Sequence, residues 1–191
     1  MKGFWENIVA EFTMVPQTVY EVLLSLSIIG TAFLIALCGK KAARYIIQLL
    51  LVEYVFLIYG LTVIFRNVKP NVRHFLKPFW SYISFLQGND ALLYEIIMNV
   101  VLFIPIGFLW GTQVSKGLRE QQWLITFLLG IGLSLGIELM QLVFKKGSFE
   151  VDDLINNTLG CLIGFFIWRT LSKLIDAIKC KIKSKGLKTE S

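Results

Sequence analysis

An all-α membrane helix bundle of five spans is the fold class this sequence predicts, and three observations carry it. The chain is far more apolar than a soluble domain, with 55% hydrophobic residues, 17% charged residues and a mean hydropathy of +0.67. Its apolar residues gather in long runs, Val22–Cys38, Tyr45–Phe65, Leu92–Trp110, Trp123–Phe144 and Leu154–Leu171. At about 1.5 Å per helical residue, runs of this length cross roughly 30 Å of hydrocarbon.

Residues 1–18 precede the first run. Glu6 and Glu11 interrupt them, and no apolar stretch leads to a small-residue cleavage site, so they do not read as a secretory signal. Phe4, Trp5, Ile8, Val9, Phe12 and Val15 recur at helical spacing before Pro16, which predicts an amphipathic helix in the membrane interface; a disordered start is the alternative. Residues 19–171 then form the transmembrane domain. Between its second and third spans, Asn67–Ala91 is long for a loop, yet it holds Phe75, Leu76, Pro78, Phe79, Trp80, Tyr82 and Phe85. Aromatic residues favour interfacial depth, so this segment is expected to lie at the external surface as an anchor or as a lid. Residues 172–191 form a tail in which Leu174, Ile175, Ile178 and Ile182 alternate with lysines, the pattern of a basic helix on the membrane surface.

Lysine and arginine resist translocation, and the basic tail tips their balance towards an external amino terminus and a cytoplasmic carboxyl terminus in the cell membrane. The net charge of +6 then implies attraction to anionic membrane lipids. It follows the membrane-flanking segments and forms no soluble basic domain, which argues against nucleic acid. Cys38, Cys161 and Cys180 are too scattered for a disulfide framework, and with one histidine no protein-made metal site or cofactor is expected.

Acids and amides inside the spans are the most telling residues, because such groups are costly in hydrocarbon and mark partners or sites. Glu95 and Asn99 share one face of the third span at i, i+4, about 5 and 10 Å below the external surface. Glu138 and Gln141 share a face of the fourth span at i, i+3, at comparable depth from the same side. Asp152 and Asp153 open the fifth helix, where carboxylates cap backbone donors, and Asn156 and Asn157 follow one turn below. These residues predict a polar pocket between the third, fourth and fifth spans, with Glu138 its deepest acid; the same residues also fit an internal network that only fixes helix packing. Glu53, in the second span, is a further candidate.

Gly160 and Gly164 form a small-xxx-small stripe on the fifth span, and Gly132 and Gly136 repeat it on the fourth, so these two faces are expected to pack together. Pro105 removes one hydrogen bond from the third span and frees the carbonyl of Val101, for which Asn99 or a neighbouring helix is the expected donor.

Three pieces, in order, resemble the VanZ-like family: Phe75-Leu76-Lys77-Pro78-Phe79-Trp80-Ser81, the run from Asn99 through Pro105 and Gly107 to Leu109, and Glu138-Leu139-Met140-Gln141 with Asp152 to Gly164. The resemblance spans about residues 44–168 and rests on the order and spacing of the set. It matches the family's polar motif to Asn99, Glu138, Gln141, Asp153, Asn157, Gly160 and Gly164. The chain departs from the family twice: Gly147, beside Lys146, stands where arginine is common, and Phe75 stands where asparagine is common. The resemblance implies a link to resistance against glycopeptide antibiotics, teicoplanin in particular, in Gram-positive bacteria.

Three function classes follow. In the first, an outward pocket binds an amphiphile, either a lipoglycopeptide or a lipid-linked envelope component. The second is a lipid transporter or flippase; no internal repeat is visible, so it would need a homo-oligomer. The third is an intramembrane enzyme using Glu138 or Asp153 as base, for which the nearest candidate dyad is Ser81 with Lys77; no nucleophile-elbow or metal motif supports it and no residue is assigned as catalytic.

Overall fold

The computed structural model describes residues 22, 25–31, 33, 40–68, 74–113 and 121–189. The amphipathic segment expected at 1–18 and most of the first span lie outside them; within that span, residues 25–31 are helical. Then follow α1 (Lys40–Tyr59), a π-helical turn (Gly60–Ile64), β1 (His74–Phe75), α2 (Trp80–Leu86), α3 (Asp90–Gln113), α4 (Gln122–Val143), β2 (Phe149–Glu150) and α5 (Val151–Thr189). Among the described residues, Ala42–Ile64, Asp90–Gln113 and Gln122–Val143 are long and apolar enough to cross a membrane. The all-α membrane class stands. The residues expected as the fifth span form the first half of α5, and the tail, expected as a separate surface helix, continues them as one 39-residue helix. No glycine or proline interrupts the chain between Phe165 and Lys185, so nothing local breaks the helix there.

The burial pattern is that of a bundle solvated by lipid. Leu49, Val52 and Phe56 on α1, Ile97 and Val101 on α3, and Leu128 and Leu139 on α4 are exposed, whereas Thr126, Ser134, Glu138, Asp152, Asn156 and Asn157 are buried. Apolar side chains gain nothing by leaving hydrocarbon, so polar groups and close packing occupy the interior. The apolar core is small and gathers Ile58, Val63, Phe103, Ile106, Ile137 and Cys161 from α1, its π turn, α3, α4 and α5.

Helix α5 packs most extensively along α3 and next along α4. Its closest approach corrects the glycine pairing expected above. A Cβ built on Gly160 would lie 2.1 Å from the carbonyl oxygen of Val100, and one on Gly164 would lie 1.9 Å from that of Ile104. Gly107 reciprocates from α3, where a Cβ would meet the Cys161 carbonyl at 1.7 Å. The fifth span's stripe therefore packs on the third span, around Pro105, and not on the fourth. On α4 the close contact comes from Gly130, against Thr158 and Cys161. Gly132 faces open space, and Gly136 makes room for the Tyr59 hydroxyl, which donates to the Leu133 carbonyl at 3.1 Å.

Near Pro105 the side-chain donor is Tyr54, which reaches the Leu102 carbonyl at 3.0 Å. Asn99 does not serve the Pro105 turn, because its amide is engaged with Asp153. Glu53 is bound within the bundle, accepting from Ser27 at 2.8 Å and Thr31 at 3.4 Å.

The glycines separate cleanly by experiment. Gly164→Ala forces α3 and α5 apart and is expected to cost about 1–3 kcal/mol, as overpacking does. Gly132→Ala is expected to be neutral or to stabilise by up to about 1 kcal/mol, since alanine is the better helix former. Unfolding in detergent micelles measures both; equal losses at the two positions would contradict this packing.

Candidate functional site

At one end of the bundle, α3, α4 and α5 bring Asn99, Ser134, Asp153 and Asn157 into a connected polar group with Glu138 beside it. The Asn99 amide donates to Asp153 Oδ1 at 2.6 Å. The Asn157 amide donates to Ser134 Oγ at 2.8 Å, and that hydroxyl points to the Asp153 carbonyl at 3.5 Å. Glu138, 1% exposed, accepts from the Glu150 backbone N–H at 2.8 Å. Glu138 and Asp153 lie within electrostatic reach of each other, and Arg66 of both. Glu95 sits at the edge, exposed, within reach of Asp153. The convergence follows from helix geometry: Asn157 is one turn below Asp153, Ser134 one turn below Glu138, and the glycine contact sets the depth of α3 against α5.

The other predicted polar residues turn elsewhere. Gln141 donates to the Thr62 carbonyl in the π turn at 3.1 Å, and its Oε1 lies against Gly147, so it joins α4 to α1 instead of facing Glu138's partners. Asp152, fully buried, does not cap its own helix. It accepts from the backbone N–H of Phe79 at 2.5 Å and from the N–H and hydroxyl of Ser81 at 2.8 and 2.5 Å. It thus caps α2, whose first-turn donors have no intrahelical acceptor and whose cap residue, Phe79 at φ 64°, has no side-chain acceptor to offer. The Ser81 hydroxyl, buried on Asp152, makes no dyad with Lys77. One turn on, Asn156 accepts from the Tyr82 hydroxyl. Burial, and after it Asp152, push that phenol above its usual range, so it stays protonated as the donor.

The aromatic segment is therefore built into the fold. β1 pairs in parallel with β2, His74 opposite Phe149 and Phe75 opposite Glu150. Phe75 stacks on Trp80 with centroids 4.2 Å apart, and Phe79 meets Tyr82 edge-on at 5.9 Å. The β2 backbone that pairs with this segment also donates to Glu138, so the interfacial segment and the buried acid share one support. The α4 helix ends in a Schellman turn, with Lys145 at φ 54° and the Lys146 N–H on the Gln141 carbonyl at 2.8 Å. That turn folds Lys146 inward, where its ammonium donates to the Ile64 carbonyl at 3.0 Å and burial lowers its pKa.

Two residues at the site escaped the sequence reading. Ser134 lies one turn before Glu138 in a glycine-rich run and resembles packing. Arg66 lies just past the second span and resembles a flanking charge; its guanidinium Nη1 lies 3.2 Å from where a Cβ on Gly147 would be. No sequence spacing connects 66 with 147. Among the described residues, no group of three or more His, Cys, Asp or Glu side chains could hold a metal ion.

Comparison with known proteins now bears on this geometry. The VanZ/LLP1 family model matches residues 45–173, a stretch that includes every residue of the polar group. The chain belongs to this family. It is 28% identical over 146 residues to Protein VanZ of Enterococcus faecium, an alignment covering 74% of this chain and 82% of that protein. No solved structure matches it. This VanZ-like chain is thus a helical membrane protein, and the position where the resemblance leads one to expect arginine, 147, is overlain by Arg66 from another element.

Asp152→Ala is expected to leave the Phe79 and Ser81 amides without acceptors and to destabilise by about 1–3 kcal/mol or more. Hydrogen exchange should show the loss first at residues 79–86 of this VanZ-like chain; unchanged protection there would contradict the capping role.

Proposed function

We propose that this VanZ-like protein lowers susceptibility to glycopeptide antibiotics of the teicoplanin type. It does so by engaging an amphiphile, either a lipoglycopeptide or a lipid-linked envelope component, at the Glu138 group. In this reading the chain is a multi-pass protein of the cell membrane, its amino terminus external and its carboxyl terminus cytoplasmic, so that the group opens to the outer leaflet. One observation carries it. Glu138 is almost wholly buried, yet among the described residues its hydrogen bond comes from a single backbone N–H. A carboxylate offers about four acceptor positions. Helix packing alone is served by amides and hydroxyls, as Asn157 and Ser134 show, and does not call for an acid with spare acceptors in this setting. The aromatic segment beside it, at interfacial composition, suits the acyl or aromatic part of an amphiphile.

Glu138→Ala and Asn157→Ala are expected to abolish the protection that the intact protein confers in a susceptible Gram-positive host, at equal abundance in the membrane, and to weaken amphiphile binding by the purified protein. Unchanged susceptibility and unchanged binding in both variants would end this reading. The orientation has its own check in a background with Cys38 and Cys180 replaced by serine. A cysteine at exposed Lys145 should react with a membrane-impermeant maleimide on intact cells, and one at Lys179 should not; the reverse result would invert the topology.

A further inference from the structure

Arg66 and Glu95 are exposed charged side chains at the edge of the Glu138 group, and half-buried Glu150 is a further acid within electrostatic reach of Glu138. The backbone leading to Arg66 is pinned: Gln141 holds the Thr62 carbonyl and Lys146 holds that of Ile64. Two residues later the guanidinium reaches over Gly147, and the absence of a side chain there is what leaves it room, since a Cβ would sit 3.2 Å from Arg66 Nη1 and 2.6 Å from Gln141 Oε1. From this position Arg66 lies within electrostatic reach of Glu138 and Asp153. Glu95 lies one turn from Asn99 on α3, within electrostatic reach of the Asp153 that Asn99 holds. Each of the two inner carboxylates has one donor within the bundle, the Glu150 N–H for Glu138 and the Asn99 amide for Asp153. Arg66 and Glu95 are exposed, and among the described residues neither is held by a hydrogen bond or ion pair.

The edge of the group is therefore dipolar, with an exposed guanidinium on the α1 side and an exposed carboxylate on the α3 side of Asp153. A headgroup that is only anionic meets Glu95 and the acids behind it; one that is only cationic meets Arg66. We propose that the site selects an amphiphile with a zwitterionic headgroup, its phosphate or carboxylate held by Arg66 and its ammonium by Glu95, with Asp153 behind. The planar guanidinium suits a bidentate oxyanion, and lysine at the same place would not reproduce it. This inference rests on the amphiphile reading above and narrows its ligand.

The test titrates the full chain, in a nonionic detergent, with four amphiphiles of similar chain length. Lysophosphatidylethanolamine and Nε-lauroyl-lysine carry both charges, lysophosphatidylglycerol carries only the negative one and dodecylamine only the positive one. At least one zwitterion is expected to bind about tenfold or more tightly than either singly charged amphiphile, consistent with loss of one charged hydrogen-bond partner. Which zwitterion binds distinguishes a phospholipid headgroup from an amino-acid-type headgroup. Arg66→Ala should remove that preference by weakening the zwitterion about tenfold, Arg66→Lys should recover part of it, and Glu95→Gln should bring the zwitterion down to the level of the purely anionic lipid. Both residues are exposed, so these variants leave the fold intact. If Arg66→Ala and Glu95→Gln bind all four amphiphiles as the intact protein does, while Glu138→Ala and Asn157→Ala lose binding, the zwitterion inference is overturned and the amphiphile reading survives. If the intact protein binds none of the four, both fall together.

Discussion

Backbone-to-backbone contact between α3 and α5 is the constraint on which the rest of this structure depends. Carbonyl oxygens of Val100 and Ile104 occupy the places where side chains would stand on Gly160 and Gly164, and the Cys161 carbonyl does the same at Gly107. In lipid no hydrophobic force draws helices together, so contact this close, through dispersion and weak Cα–H···O interactions, supplies what burial supplies in water. It also sets a register. With α3 and α5 locked at these three glycines, Asn99 falls opposite Asp153, and the site's first hydrogen bond follows from packing.

A second constraint acts at the same end: buried polar groups must find partners where water is scarce. It divides the polar residues into two sets. Asp152, Gln141, Lys146 and the Oδ1 of Asn156 are engaged by structure, tying the aromatic segment to α5 and the π turn of α1 to α4, while Asn156 Nδ2 is buried without a partner. Asn99, Ser134, Asp153 and Asn157 remain as the connected group between α3, α4 and α5, with Glu138 beside it and charged residues at its edge. Adjacent positions in the chain thus have unrelated duties: Asp152 caps α2, and Asp153, turned by about 100° on the same helix, faces α3 and α4.

For a protein of the VanZ/LLP1 family this division is informative, because motif residues that travel together in sequence need not act together. The Gln141 of the Glu138–Gln141 pair stabilises the junction with α1, while Glu138 accepts from the β2 backbone. Arg66 comes to the same locality from a different helix. The local charge balance is thereby decided by three-dimensional placement, and a reading confined to the position of Gly147 would miss the cation.

The membrane class, the helical content and the end of the bundle where acids and amides gather were legible in the chain, because hydropathy and helical periodicity act locally and each residue reports its own solvation cost. So was the placing of Asn157 one turn below Asp153, since i, i+4 spacing fixes which side chains share a face, whereas the i, i+3 pair Glu138 and Gln141 divided between two junctions. The partner of each glycine stripe was not legible: Gly132–Gly136 and Gly160–Gly164 look alike in sequence, and only the packing decided that one faces α3 and the other splits between open space and Tyr59. The tertiary structure alone also decided that Asp152 caps a helix 71 residues away, that the aromatic segment pairs with β2, and that Arg66 lies over Gly147. These are contacts between distant segments, and their geometry depends on how whole helices rotate and slide against one another, a quantity that no local pattern of residues encodes.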